Sequence, residues 1–119
     1  MNRDVFVYIS GPITAKAGRS IEQNVADAVA VYLDLLRAGI PCFCPHLSAA
    51  FPTAHTAVGY EAWMSYDFAV IDRCTHVLAL ERHALSAGAL REVEYAMTRG
   101  LPIFYSTEAL IAAHGAVTV

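Results

Sequence analysis

His76-Val-Leu-Ala-Leu80, followed after a short loop by Ser86-Ala-Gly88-Ala-Leu-Arg-Glu92, is the stretch that decides the fold of this chain. Its first five residues form an apolar run of strand length. The second segment opens a helix: Ser86 suits an N-cap, and Ala89, Leu90, Val93, Ala96 and Met97 recur at helical spacing. A helix start presents unpaired backbone N–H groups and the positive end of the helix dipole, so it attracts anions. Gly88 lets a ligand approach the backbone closely, and Glu92 follows one turn further in. A phosphate held at one end and a carboxylate aimed at the middle is a layout suited to chemistry on a nucleotide sugar.

The alternation continues on both sides of this stretch. Val5-Phe-Val-Tyr-Ile9 reads as a strand buried on both faces. Ser20-Ile-Glu-Gln23 is a capping box, and the helix it opens carries Ile21, Val25, Ala28, Val29, Tyr32, Leu35 and Leu36 on one side until Gly39 closes it. Ile40 to Cys44 is a second strand, stopped by Pro45. Residues 47 to 58 read as a loop, and a helix follows from Tyr60 to Arg73. Strand three spans Thr75 to Leu80, and the next helix runs from Ala87 to Arg99. Pro102 to Tyr105 is a fourth strand, and Ser106 caps a last short helix. This pattern predicts one α/β domain over residues 1–119, Rossmann- or flavodoxin-like. A parallel sheet of four to five strands would carry helices on both faces. Ligands of such sheets bind beyond the carboxyl ends of the strands, where strand order reverses. For a flavodoxin-like order that crevice lies between strands one and three, and the two most motif-like loops follow those strands.

Bulk properties narrow the function. The 119 residues are 56% hydrophobic and only 16% charged, which leaves few charges to cover a surface and suggests a buried subunit interface. A net charge of −3 with no basic run excludes nucleic acid as a natural partner. Met1-Asn-Arg-Asp4 is polar, and the apolar run after it ends at Ser10, too short for a signal core or a membrane span. Three cysteines without zinc-ribbon spacing fit a reduced, cytoplasmic setting. Cys42, Cys44 and His46 lack a fourth ligand at useful spacing, so they read as core thiols beside a histidine and not as a metal site.

A few residues break the bland pattern. In the helix from Tyr60, the apolar stripe is Tyr60, Trp63, Met64, Phe68 and Ile71, and Asp67 falls inside it. A carboxylate on a buried face is costly unless paired or protonated, so Asp67 either holds a backbone or arginine partner or belongs to a site. Asp72 falls on the opposite edge and reads as solvated. Glu92 and Glu94 flank the apolar stripe of the following helix. Small neighbours at Gly88, Ala89 and Ala96 leave ligand room beside Glu92, whereas Glu94 lies beside Leu90, Arg91 and Thr98. The pattern alone leaves Glu92 open between a site carboxylate and a surface glutamate favoured by the dipole. Tyr8 faces either the crevice or the opposite side, depending on register. Ser10 and Gly11 form a turn before Pro12. Lys16 and Arg19 follow in a glycine-containing loop suited to meet a phosphate. His46 and His55 lie near the end of strand two, within possible reach of a ligand. Walker, Gly-x-Gly-x-x-Gly and Gly-x-Ser-x-Gly motifs are absent from the sequence.

Taken in order, Val7-Tyr-Ile-Ser-Gly-Pro-Ile-Thr14, Asn24, Pro45-His46, Trp63 with Asp67, and Ser86-x-Gly88-x-x-x-Glu92-x-x-x-Ala96 resemble the nucleoside 2-deoxyribosyltransferase superfamily. That superfamily includes the nucleoside 5′-monophosphate N-glycosidases. The resemblance implies that Glu92 attacks the anomeric carbon, that Asp67 assists the leaving base, and that Tyr8 orients Glu92 or the sugar. It further implies that Ser10, Gly11, Asn24, His46, Ser86 and Gly88 line the substrate pocket. No cofactor is implied, and the expected assembly is a homodimer or larger. The transferases tend to carry aspartate where this chain has Ser86; serine there implies a 5′-monophosphate. Two positions depart from the family pattern. Thr75 stands where relatives often have aspartate, and Lys16 to Arg19 is not arginine-rich. Hydrolysis of a nucleoside 5′-monophosphate is thus the leading expectation. Base exchange between nucleosides and nucleotide binding without catalysis are the alternatives.

Overall fold

A computed structural model describes residues 1–49 and 51–116. Its centre is a four-stranded, all-parallel sheet in the order β2-β1-β3-β4, with β1 at Val7–Ser10, β2 at Cys42–Phe43, β3 at His76–Ala79 and β4 at Ile103–Phe104. Pairing runs from Val7 opposite His76 to Ser10 opposite Ala79. Strand order therefore reverses between β1 and β3, as in flavodoxin-like sheets.

Alternation along the strands sorts side chains to two faces. Val7, Ile9 and Leu78 point to one side, where they meet Ala28 and Leu35 of α1 (Ile21–Arg37) and Leu110 of α6 (Thr107–His114). Tyr8, Val77 and Ala79 point to the other, against Ile71 of α4 (Tyr60–Ile71) and Val93 and Ala96 of α5 (Ala87–Thr98). Each strand of the central pair is thus buried on both faces, which explains its unbroken apolar run. The same register settles Tyr8: it faces α5 and is fully buried.

The Ser20 capping box forms as its sequence requires, with the Ser20 hydroxyl accepting from the Gln23 N–H and the Gln23 side chain accepting from the Ser20 N–H. The segment expected to be a loop holds two short helices instead, α2 (His46–Ala49) and α3 (Pro52–Thr56). Neither is long enough to show a period, though Pro52 at the first turn of α3 is a start signal. Asp72 is exposed, as expected, and on the surface it accepts from the Tyr95 hydroxyl at 2.6 Å and meets Arg99 at 3.2 Å. One other expectation is corrected. On α5, Leu90 and Met97 are exposed, and the buried stripe is Ala89, Glu92, Val93 and Ala96. Thr75 fastens β1 to β3 at the end away from the crevice, its hydroxyl oxygen accepting from the Phe6 N–H at 2.8 Å. No helix among the described residues is long and apolar enough to cross a membrane.

Candidate active site

At the carboxyl ends of β1 and β3 the chain turns away from the sheet and leaves a cleft of about 520 Å³. Gly11 follows β1 so closely against Leu80 that a Cβ there would lie 2.6 Å from the leucine Cδ1. The α5 N-terminus, with Ser86 and Gly88, forms one wall. Asn24, near the start of α1, forms another. Its amide donates to the carbonyls of Ile13 and Thr14, both at 3.2 Å, and so shapes the β1–α1 loop.

Glu92 and Asp67 reach this cleft from α5 and α4, although they are only 5% and 7% exposed. Both oxygens of Glu92 are held. Tyr8 donates to Oε2 at 2.7 Å, and Ser10 donates to Oε1 at 2.8 Å. Tyr8 and Ser10 are adjacent inward positions of β1, so the strand's period of two aims both at one carboxyl. The Asp67 carboxyl lies beside Glu92 and Tyr8, close enough for each to act on the others' titration. Burial, then the neighbouring Asp67, raises Glu92 well above the ordinary 4.5. Burial raises Asp67 above 3.8 as well. Neighbouring carboxyls inside a protein disfavour double ionisation, so the pair titrates as a unit, with its proton held above the ordinary carboxyl range. The Tyr8 hydroxyl, pushed up by burial and by Glu92, stays protonated and remains a donor.

The remaining expected residues take distinct places. Gly11, Asn24, Ser86, Gly88, Asp67 and Glu92 line the cleft. Tyr8, Ser10 and His46 lie behind that wall, fully buried. His46 holds the β1–α1 loop from beneath: its Nε2 donates to the Pro12 carbonyl at 3.1 Å, since a carbonyl can only accept. Its Nδ1 then accepts from the Cys44 thiol at 3.7 Å. Burial pushes His46 down to about 4 and the Cys44 thiol up to about 11, so both are neutral. Ser86 caps α5, its oxygen accepting from the Ala89 N–H at 3.1 Å, which leaves the hydroxyl proton free to donate. Lys16 and Arg19 flank a tight turn at Ala17-Gly18, both with positive φ. The Arg19 side chain is engaged with Asp27, Asn24 and the Gln23 carbonyl. His55 lines the cleft, stacked on Trp63 at 6.4 Å, and its carbonyl accepts from the indole N–H at 2.9 Å. Sequence reasoning gave no role to Arg82, an exposed residue on the cleft rim; a single surface arginine leaves no pattern to read.

Fold and site define a parallel α/β domain that presents a buried carboxyl pair to a cleft at its switch point. Residues 5–105 match a family described as a domain of unknown function (DUF4406), and the chain belongs to that family. No curated protein matches the sequence.

Proposed function

We propose that this chain hydrolyses the N-glycosidic bond of a nucleoside 5′-monophosphate, ribo or deoxyribo, without a cofactor. The observation that carries this reading is the Asp67–Glu92 pair on the cleft wall, with both Glu92 oxygens fixed by Tyr8 and Ser10. A fixed carboxylate beside a protonated carboxyl is the equipment for attack at an acetal-like carbon with a basic leaving group. The resemblance of the sequence to the nucleoside 2-deoxyribosyltransferase superfamily points the same way.

In the first step the proton of the pair passes from Glu92 to Asp67, Glu92 attacks C1′ as the carboxylate, and the bond from C1′ to the base nitrogen breaks. Asp67, turned from Glu92 to the base, gives its proton to the departing nitrogen. A glycosyl ester on Glu92 and an Asp67 carboxylate result. In the second step water attacks C1′, Asp67 takes its proton, and the ester oxygen leaves as the Glu92 carboxylate. The pair carries one negative charge at each stage, so a buried site never holds two. Tyr8 and Ser10 orient the nucleophile without touching the substrate. The α5 N-terminus, with Ser86 and Gly88, receives the 5′-phosphate. Base exchange would use a second base in place of water; serine in place of aspartate at position 86 favours the phosphorylated substrate. The exposed apolar residues Phe51, Leu85 and Tyr66 suit the expected homodimer or larger assembly.

The test is incubation with a panel of ribo- and deoxyribonucleoside 5′-monophosphates, with free base followed by chromatography. Base release from at least one, lost in Glu92→Ala, is expected. Release from none overturns the hydrolase reading, and saturable binding without release would leave a nucleotide-binding module.

A further inference from the structure

Three cationic side chains line the cleft: Lys16, Arg19 and Arg82. They are not equivalent. The Arg19 guanidinium is committed to Asp27, to Asn24 Oδ1 at 3.3 Å and to the Gln23 carbonyl at 3.3 Å, so it builds the wall. Lys16 stands exposed on the β1–α1 loop, in a separate segment from the turn that leads into α5. Arg82 is exposed and forms no ion pair among the described residues. Other arginines are spent on the fold: Arg91 on Glu61, Arg99 on Asp72 and Arg73 on the Ala69 carbonyl.

The place of Arg82 is set by the β3–α5 connection. The Leu85 N–H bonds the Arg82 carbonyl at 3.0 Å and the Ser86 N–H bonds the His83 carbonyl at 3.1 Å. These bonds fold the chain into one 3-10 turn, His83–Leu85, which brings the Arg82 backbone within about 7 Å of Leu85, beside the α5 cap. The His83 ring, held on the Leu80 carbonyl at 2.9 Å, anchors that turn to the end of β3. A planar guanidinium of fixed charge is thus carried on the turn that leads into Ser86, and it lines the same cleft with no ion pair among the described residues.

We infer that Arg82 determines specificity for a phosphorylated substrate, closing on the phosphate that the α5 N-terminus receives and taking the part that Arg19 cannot. This rests on the phosphate placement proposed above, and its test is independent of catalysis. Ribose 5-phosphate and ribose are titrated calorimetrically into wild type, Arg82→Gln, Arg82→Lys and Lys16→Gln. Loss of a charge-assisted bidentate contact is expected to weaken ribose 5-phosphate by about 10–100-fold in Arg82→Gln. Ribose binding and melting temperature stay unchanged, Arg82→Lys recovers part of the affinity, and Lys16→Gln changes it by less than about threefold. Equal affinity of wild type and Arg82→Gln for ribose 5-phosphate overturns the assignment, as does a wild type that does not prefer the phosphorylated sugar. If Arg82→Gln loses phosphate affinity while wild type releases no base, the assignment stands and the hydrolase reading falls.

Discussion

The Tyr8 hydroxyl donates to Glu92 Oε2 at 2.7 Å across 84 positions of the chain, joining the first strand to the fifth helix inside the core. The bond holds Glu92 in one orientation and favours its ionised form. Tyr8→Phe removes the donor and keeps the ring that stacks on Phe43 at 5.9 Å. A buried charge-assisted hydrogen bond contributes about 1.5–3 kcal/mol, so kcat should fall roughly 10–100-fold with little change in KM. Without the donor the carboxyl pair binds its protons more tightly, and the acid limb of kcat/KM moves to higher pH. A pH–rate profile of Tyr8→Phe with its acid limb unmoved would sink this role.

Glu92 costs the fold stability, and the cost depends on pH. Its folded pKa is raised, chiefly by burial, above the ordinary 4.5. Between those two values the native state binds more protons than the unfolded chain, so stability falls as pH rises through that window. Glu92→Gln keeps the shape and abolishes the titration. The variant should melt higher than wild type, by on the order of 5 °C at pH 8 and less at pH 5. Thermal melts at the two pH values check this, and a variant that melts lower at pH 8 contradicts the buried, proton-sharing pair.

Gly88 separates ligand binding from folding. A Cβ there would meet Tyr60 Oη at 3.5 Å, Met64 Sδ at 3.7 Å and Ser86 Oγ at 3.8 Å, all ordinary contacts. The fold therefore tolerates Gly88→Ala, and alanine in a helix gains about 0.5–1 kcal/mol over glycine. In the proposed complex the same methyl occupies space beside the phosphate. The expected outcome is a slightly raised melting temperature with affinity for ribose 5-phosphate reduced about tenfold or more. Unchanged affinity by calorimetry would remove Gly88 from the binding wall.

Legibility in the sequence followed the range of the interactions. The Ser20 and Ser86 caps are local, so their residues announce them. Asp67 was visible because a carboxylate stood in an apolar stripe. The position of Glu92 was open because its burial is set by Tyr8 and Ser10, more than 80 residues away. Periodicity places Leu90 and Met97 inward; α5 instead packs on the sheet through Val93 and Ala96, with Ala89 and Glu92 buried alongside, and both larger apolar residues end exposed. His46 read as a ligand contact, whereas its bonds to Pro12 and Cys44 put it behind the wall. Helices α2 and α3 are too short to leave a period, and their packing beside the cleft is tertiary.

His46 gives the protein a second pH dependence, opposite in sign to that of Glu92. Burial lowers its folded pKa to about 4 from 6.5, and protonation would place a charge among Pro12, Cys44 and the loop it supports. Between pH 4 and 6.5 the unfolded state binds more protons, so stability rises with pH and is lost as pH falls below 6.5. His46→Gln can keep an amide donor for the Pro12 carbonyl and cannot titrate. The variant should be less stable than wild type at pH 7.5, because the ring's packing is lost, by about 1–2 kcal/mol. Its deficit should shrink steadily from pH 6.5 to pH 4.5 as wild type begins to lose stability. Urea unfolding at four pH values across that range reads the difference directly, and a deficit that stays constant would mean that His46 takes up its proton in the folded state as readily as in water.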